Sequence, residues 1–144
     1  FQSDHTFPSD LPHRLIKHKK PIVALNCVTK TLPAQPTARL KKEGDLQGEV
    51  VYSDADTHGL QQVWRVGTGV MLIRKDALDK IPHSAWEMVY KAEGDTYQGE
   101  DWTFCAAAEE AGIPIYVDHD TSRMVGHIGN LEYTHDYVGE VVRS

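Results

Sequence analysis

The sequence predicts an α/β fold, and three observations carry that prediction. Residues 21–28, Pro-Ile-Val-Ala-Leu-Asn-Cys-Val, form an apolar run rich in β-formers, the pattern of a strand covered on both faces. A short amphipathic stretch with a basic end runs straight into it. Residues 102–111 contain Ala106, Ala107 and Ala108, and Gly112 follows them, so a helix of high propensity stops at a glycine and leads to a second apolar run at 113–118. Helices that alternate with buried strands build an α/β sheet.

The chain opens at Phe1 inside what reads as the end of a strand. Ser9 or Asp10 can cap a first helix in which Leu11, Leu15 and Ile16 share a face, while Arg14, Lys17, Lys19 and Lys20 favour its negative end and Pro21 stops it. After the strand at 21–28, residues 29–59 carry Pro33, Pro36, Gly44, Gly48, Asp54 and Asp56, which predict a surface excursion with one short strand at 49–53. Residues 63–74 read as a strand with Gly67 and Gly69 in its middle, where glycine marks a bulge or a close approach. Asp76 starts a short helix that Pro82 ends, and the polar residues 91–99 read as a mobile loop. The helix at 102–111 and the strand at 113–118 come next, then a segment at 122–129 ending in Val-Gly-His-Ile-Gly and a weakly patterned tail. No repeat divides the chain, so residues 1–144 are expected to form a single domain.

Composition excludes several classes of protein. With 144 residues, 40% of them hydrophobic and 25% charged, the chain has the profile of an ordinary globular domain. Its uncharged apolar stretches fall far short of the roughly 20 residues that span a bilayer. Twenty-one acidic residues against 15 basic ones give a net charge of -6, which argues against nucleic-acid binding by phosphate neutralisation. Any anionic ligand is then expected to arrive with a metal ion. Cys27 and Cys105, both in apolar context, make neither a zinc motif nor a disulfide framework. With no charged-then-apolar leader in view, the expected compartment is the cytoplasm.

Five places hold residues whose chemistry has to be weighed. Asp4, in Gln2-Ser3-Asp4-His5, follows a strand end, where α/β folds bind ligands, although an aspartate there also forms turns. His127, flanked by Gly126 and Gly129, has an uncrowded imidazole suited to a divalent metal, or else is a partly buried, hydrogen-bonded residue. Asp101, with Glu100 beside it, precedes the Trp102 helix, where a carboxylate gains from the helix dipole and can act as a general base or simply as a cap. Trp102 is a core residue or a sugar platform, and Gly67-Thr68-Gly69 is a weak signal alone. The acidic cluster Asp118-His119-Asp120 reads as a loop, because neighbouring residues of a strand face opposite sides and cannot converge.

In chain order these pieces form a succession: Ser-Asp-His near a strand end, Val-Gly-Thr-Gly-Val-Met-Leu-Ile-Arg, Gly-Glu-Asp-Trp-Thr-Phe-Cys before an Ala-rich helix, Gly-Ile-Pro-Ile-Tyr-Val-Asp, and Val-Gly-His-Ile-Gly. Over about residues 1 to 129 this succession resembles the GT-A-fold glycosyltransferases of the family 2 type, small bacterial and phage-like members above all. The resemblance implies a three-layered α/β/α mixed sheet and metal-dependent transfer of a sugar, with inversion, from a nucleotide sugar donor to a hydroxyl acceptor. It implies that Asp4, in the last position of the family's Asp-x-Asp motif, and His127 hold Mn²⁺ or Mg²⁺. Asp101 takes the place of the catalytic base with Glu100 near the acceptor, and Gly67, Thr68, Gly69 and Trp102 flank the substrates. Gln2 stands where the family has the first Asp. The resemblance also implies that the nucleotide-binding half lies before Phe1, so the chain is expected to be the catalytic and acceptor part of a larger fold, weak in nucleotide-sugar binding by itself and prone to pair through an exposed sheet edge as a homodimer. Two rivals belong to other classes: a noncatalytic or degenerate transferase that binds carbohydrate or a partner, and a metal-dependent hydrolase that uses the same Asp and His.

Overall fold

The apolar run at 21–28 enters the middle of a mixed sheet. In the computed structural model the described residues are 5–82, 85, 89–91, 96–98, 100–128 and 132–138. They form β1 (His5–Thr6), α1 (Leu11–Ile16), β2 (Ile22–Ala24), β3 (Arg39–Lys42), β4 (Asp45–Val50), β5 (Leu60–Val63), β6 (Met71–Ile73), α2 (Lys75–Leu78), β7 (Val89–Lys91) and β8 (Thr96–Gln98). α3 (Glu100–Glu110), β9 (Ile115–Asp118), α4 (His119–Ser122), β10 (Gly126–Ile128), β11 (Glu132–Tyr133) and a 3₁₀ turn at His135–Tyr137 complete them. The fold is mixed α/β.

The main sheet has the order β5-β9-β2-β6. β2 and β9 are parallel, with Val23 opposite Tyr116, and β6 and β5 flank them antiparallel. Ile22, Val23 and Ala24 are wholly buried, as a strand covered on both faces requires. Ile22 and Ala24 share a cluster with Phe104, Cys105 and Ala108 of α3, whereas Val23 shares one with Leu11 and Leu15 of α1. Alternate residues of one strand therefore meet a helix on either face. A second sheet, β1-β10-β11, is antiparallel throughout.

α3 ends as its sequence dictates. Gly112 takes φ 75°, its N–H reaches Glu109 O at 3.0 Å and the Ile113 N–H reaches Ala108 O at 2.9 Å. This is the Schellman pair of bonds, closed by the apolar contact of Ile113 with the same core as Ala108.

Other expectations are corrected. The 63–74 run is two strands, because Trp64 and Arg65 leave the sheet to bond Arg39 and the 67–69 glycines carry the chain back to β6. The 29–59 excursion holds a hairpin, β3 and β4, turned at Gly44 with φ 80°. Residues 91 and 96–98 belong to a second hairpin, β7 with β8, rather than to a loop. In α1, Leu11 and Leu15 are buried but Ile16 is 58% exposed, since the helix ends there and the chain reverses at Lys19 with φ 55°. Asp10 holds the cap position without a capping bond, its carboxylate accepting from Arg14 Nε at 2.9 Å.

Candidate functional site

The 67–69 turn is the hinge of the site. Thr68 Oγ1 donates to Asp101 Oδ1 in the first turn of α3, bridging 33 positions of sequence. On the other side of the turn, Gly69 lies against the ring of His5: a Cβ at this position would fall 2.6 Å from His5 Cε1, 2.8 Å from Nε2 and 3.4 Å from Cys27 Sγ. His5 of β1 is the register partner of His127 in β10, and the two rings stack with centroids 4.1 Å apart and planes 16° from parallel. His127 Nδ1 donates to Val28 O at 2.9 Å. One short turn thus touches Asp101 directly and reaches His127 only through the ring of His5.

The glycine spacing has a physical reason here. Any side chain at Gly69 would displace an imidazole, and at Gly67 a Cβ would sit 3.0 Å from Thr37 Oγ1. Gly69→Ala is expected to cost about 1–3 kcal/mol by overpacking and to shift the imidazole resonances of both histidines. Denaturant titration and histidine NMR check this, and an alanine variant with parent stability and unmoved histidine signals would refute it.

The sequence-predicted residues are placed as follows. Asp101 and Trp102 lie in the first turn of α3, both half-buried. The backbone of Glu100 opens that helix, and its side chain is outside the described residues. Asp4 also lies outside them, although its sequence neighbour His5 pairs with His127. The imidazole of His127 is not uncrowded: His5 covers one face, and the room at Gly126 is taken by Thr6 and Glu132, whose oxygens would meet a Cβ at 2.8 and 2.6 Å. With Nδ1 donating to a backbone carbonyl, Nε2 is the basic nitrogen, the arrangement that holds a metal-ligating histidine in one tautomer. His127 therefore fits as one ligand of a divalent ion. Among the described residues no group of three or more His, Cys, Asp or Glu side chains is gathered to hold one.

Asp118, His119 and Asp120 do not converge, as expected, but they open α4 rather than a loop. Asp118 caps it, accepting from the Thr121 N–H at 3.0 Å and from His18 Nε2 at 2.8 Å. Burial works against the Asp118 carboxylate, and these hydrogen bonds outweigh it to hold its pKa below the usual range. Asp120 turns outward to Gly59 N, His58 and Arg123, which hold its carboxyl well below the usual carboxylate range.

A polar core that the sequence did not disclose lies behind the C-terminal ends of β2 and β9. Asn26 is fully buried. Its Oδ1 accepts from the Thr37 and Ala38 amides at 3.1 and 2.9 Å, and its Nδ2 donates to Val51 O at 2.8 Å and Ser53 Oγ at 3.1 Å. Ser53 Oγ donates to His119 Nδ1 at 2.8 Å, and His119 Nε2 donates to Gln61 Oε1 at 2.7 Å. His135 Nε2 donates to Asn26 O at 2.8 Å. Asn26 stood inside an apolar run, and only an amide interrupting a fully buried strand could have flagged it.

Burial lowers the pKa of His119 and of His135 from the ordinary value, aided by the Arg123 charge. The unfolded chain then takes up protons below about pH 6.5 before the folded chain does, so stability falls as pH drops through the interval beneath that value. The slope is at most about 1.4 kcal/mol per pH unit for each histidine. Denaturation at pH 7.5 and 5.5 is expected to show the loss, and His119→Gln to reduce it. A profile flat across that range would contradict this account.

Cys27 and Cys105 are both buried and unbridged, as expected, and burial pushes the Cys105 thiol up to about 11, which leaves it unreactive at neutral pH. No helix among the described residues is long and apolar enough to cross a membrane. The cleft of about 430 Å³ between β5 and the end of α3 holds none of the candidate residues. The chain matches no protein-family model, and no curated protein is significantly similar to it.

Proposed function

We propose that the chain is the catalytic and acceptor part of a GT-A-type, three-layered glycosyltransferase of the cytoplasm, moving a sugar from a nucleotide donor to a hydroxyl acceptor with inversion. The observation that carries this reading is the 67–69 turn, which contacts Asp101 through Thr68 and, through Gly69, the ring of His5 on which His127 stacks. Asp101 accepts the acceptor hydroxyl proton as that oxygen bonds to the anomeric carbon and the bond to the donor diphosphate breaks. Thr68 orients the carboxylate for that transfer. Asp4 and His127 would hold Mn²⁺ or Mg²⁺, which when bound offsets the charge of the departing diphosphate.

Two protein ligands leave most of a six-coordinate ion to diphosphate oxygens and water, so metal affinity is expected to be weak alone and to rise with a nucleoside diphosphate. Calorimetry with Mn²⁺, with and without uridine or guanosine diphosphate, tests this, and His127→Ala should abolish the gain. Donor turnover assayed with and without candidate acceptors separates the readings. Turnover that requires an acceptor supports transfer, turnover in water alone supports the hydrolase, and neither supports the noncatalytic carbohydrate- or partner-binding form that Gln2 favours. Sedimentation across a concentration series reads the expected homodimer.

A further inference from the structure

We propose that the face formed by residues 13–20 docks the protein on an anionic phospholipid bilayer, with Ile16 entering the acyl boundary and Lys17, Lys19 and Lys20 meeting the headgroups. The docking does not depend on the transfer reading above.

Positive charge gathers here against the trend of the chain. The net charge is -6, yet His13-Arg14-Leu15-Ile16-Lys17-His18-Lys19-Lys20 contains four of the 15 lysines and arginines and no acid. Folding keeps these cations close together. α1 tightens in its last turn, the His18 N–H donating to Leu15 O and the Lys19 N–H to Ile16 O, and Lys19 at φ 55° reverses the chain. Arg14 is answered by Asp10 at 2.9 Å and His18 by the buried Asp118 at 2.8 Å. Beyond Pro21, whose carbonyl accepts from the Arg74 N–H, Arg74 pairs with Asp76 and Lys75 with Asp79. Lys17 and Lys19, both exposed, have no acidic partner among the described residues. Lys20, also exposed, holds its ammonium over the Tyr116 ring, 5.1 Å from the centroid, a contact that leaves its charge in place.

Ile16 decides which polyanion fits. Leu11 and Leu15 take the buried face of the helix, which leaves Ile16 58% exposed beside Lys17. A single exposed apolar side chain is ordinary. Set among unpaired lysines, it has the composition of an interfacial anchor, in which apolar groups enter the boundary of headgroup and acyl chain while cations stay at the phosphates. The negative end of α1 also favours cations, but it gives no reason for an isoleucine between them. A nucleic-acid backbone would engage the lysines and leave the isoleucine in water, and its extended charge would meet the acid surplus of the rest of the chain. Each lysine near an anionic surface strengthens binding about fivefold, the equivalent of about 1 kcal/mol. Three lysines and one isoleucine therefore make a weak, reversible and salt-sensitive attachment.

Vesicle cosedimentation of the longest polypeptide that carries these residues tests the proposal, using phosphatidylcholine alone and phosphatidylcholine mixed equally with phosphatidylglycerol. Binding to the mixed vesicles is expected, at least tenfold weaker on phosphatidylcholine, and lost in about 1 M salt, where the Debye length shrinks to about 3 Å. Lys17→Gln combined with Lys19→Asn, the asparagine chosen because it tolerates positive φ, is expected to weaken binding at least tenfold. Ile16→Ser is expected to weaken it severalfold, and Ile16→Trp to strengthen it through the interfacial preference of tryptophan. All three positions are exposed, so thermal unfolding should match the parent and a loss of binding reads the surface rather than the fold. The proposal is overturned if the mixed vesicles bind no better than phosphatidylcholine, if binding survives the salt, or if the lysine and Ile16→Ser variants bind like the parent. It is overturned equally if duplex DNA binds as tightly as the mixed vesicles with no effect of Ile16→Ser, which would make the face a nucleic-acid site.

Discussion

Asp101→Asn is expected to lower sugar transfer by about 10² to 10⁴-fold while leaving donor affinity unchanged. Removal of the acceptor proton happens only as the hydroxyl attacks, so loss of the base acts on turnover and not on ground-state binding. The substitution is clean in this setting, because Thr68 Oγ1 donates to Asp101 Oδ1 and the amide oxygen of asparagine can accept the same bond in the same place. The 67–69 turn, and with it the contact of Gly69 with His5, should therefore keep its form. Thr68→Val provides the companion measurement: it removes the orienting hydroxyl but not the base, and should lower turnover by a smaller factor. The assay belongs in the longest polypeptide that carries these 144 residues, with donor binding followed by calorimetry beside it. If Asp101→Asn transferred sugar at the parent rate, Glu100 or another group would be the base.

What the sequence disclosed and what it withheld divide along a physical line. Local signals were legible: the glycine that stops α3 works through a positive φ that few other residues tolerate, and the run through Ile22, Val23 and Ala24 is apolar because both its faces are covered. Chain reversals within a run were not. The 63–74 stretch has strand-forming residues on both sides of its glycines, and it breaks where residues 64 and 65 find hydrogen bonds on Arg39, far away in sequence. At the site, the spacing of Gly67, Thr68 and Gly69 was visible, but its meaning needed two partners from opposite ends of the chain. His5 was passed over beside Asp4 because nothing local says that β1 pairs with β10. The amide of Asn26 was invisible for the same reason, since its side-chain partners at 37, 38, 51 and 53, and the partners of its backbone at 122 and 135, meet only in the folded chain.

That last residue makes the strongest demand on the fold. Asn26→Ala is expected to destabilise the protein by about 3 to 5 kcal/mol, a large part of the roughly 5–15 kcal/mol that holds a domain folded. The loss is not one contact. The side chain accepts from the Thr37 and Ala38 amides and donates to Val51 O and Ser53 Oγ; the Ala38 N–H and Val51 O lose this partner at a wholly buried position, each at a desolvation cost of about 1–3 kcal/mol unless it relaxes toward water, whereas the Thr37 N–H keeps Cys27 O and Ser53 Oγ keeps His119. Aspartate would be no remedy, because it replaces the two donors with a buried charge facing Val51 O. Ser53→Ala is the graded control: it removes one hydroxyl from the same network and should cost about 1–2 kcal/mol. Thermal unfolding reads both, and for a chain of this size the asparagine variant should melt about 10 °C or more below the parent. A shift equal to or smaller than that of Ser53→Ala would mean that residues 37, 38 and 51 hold their places without Asn26.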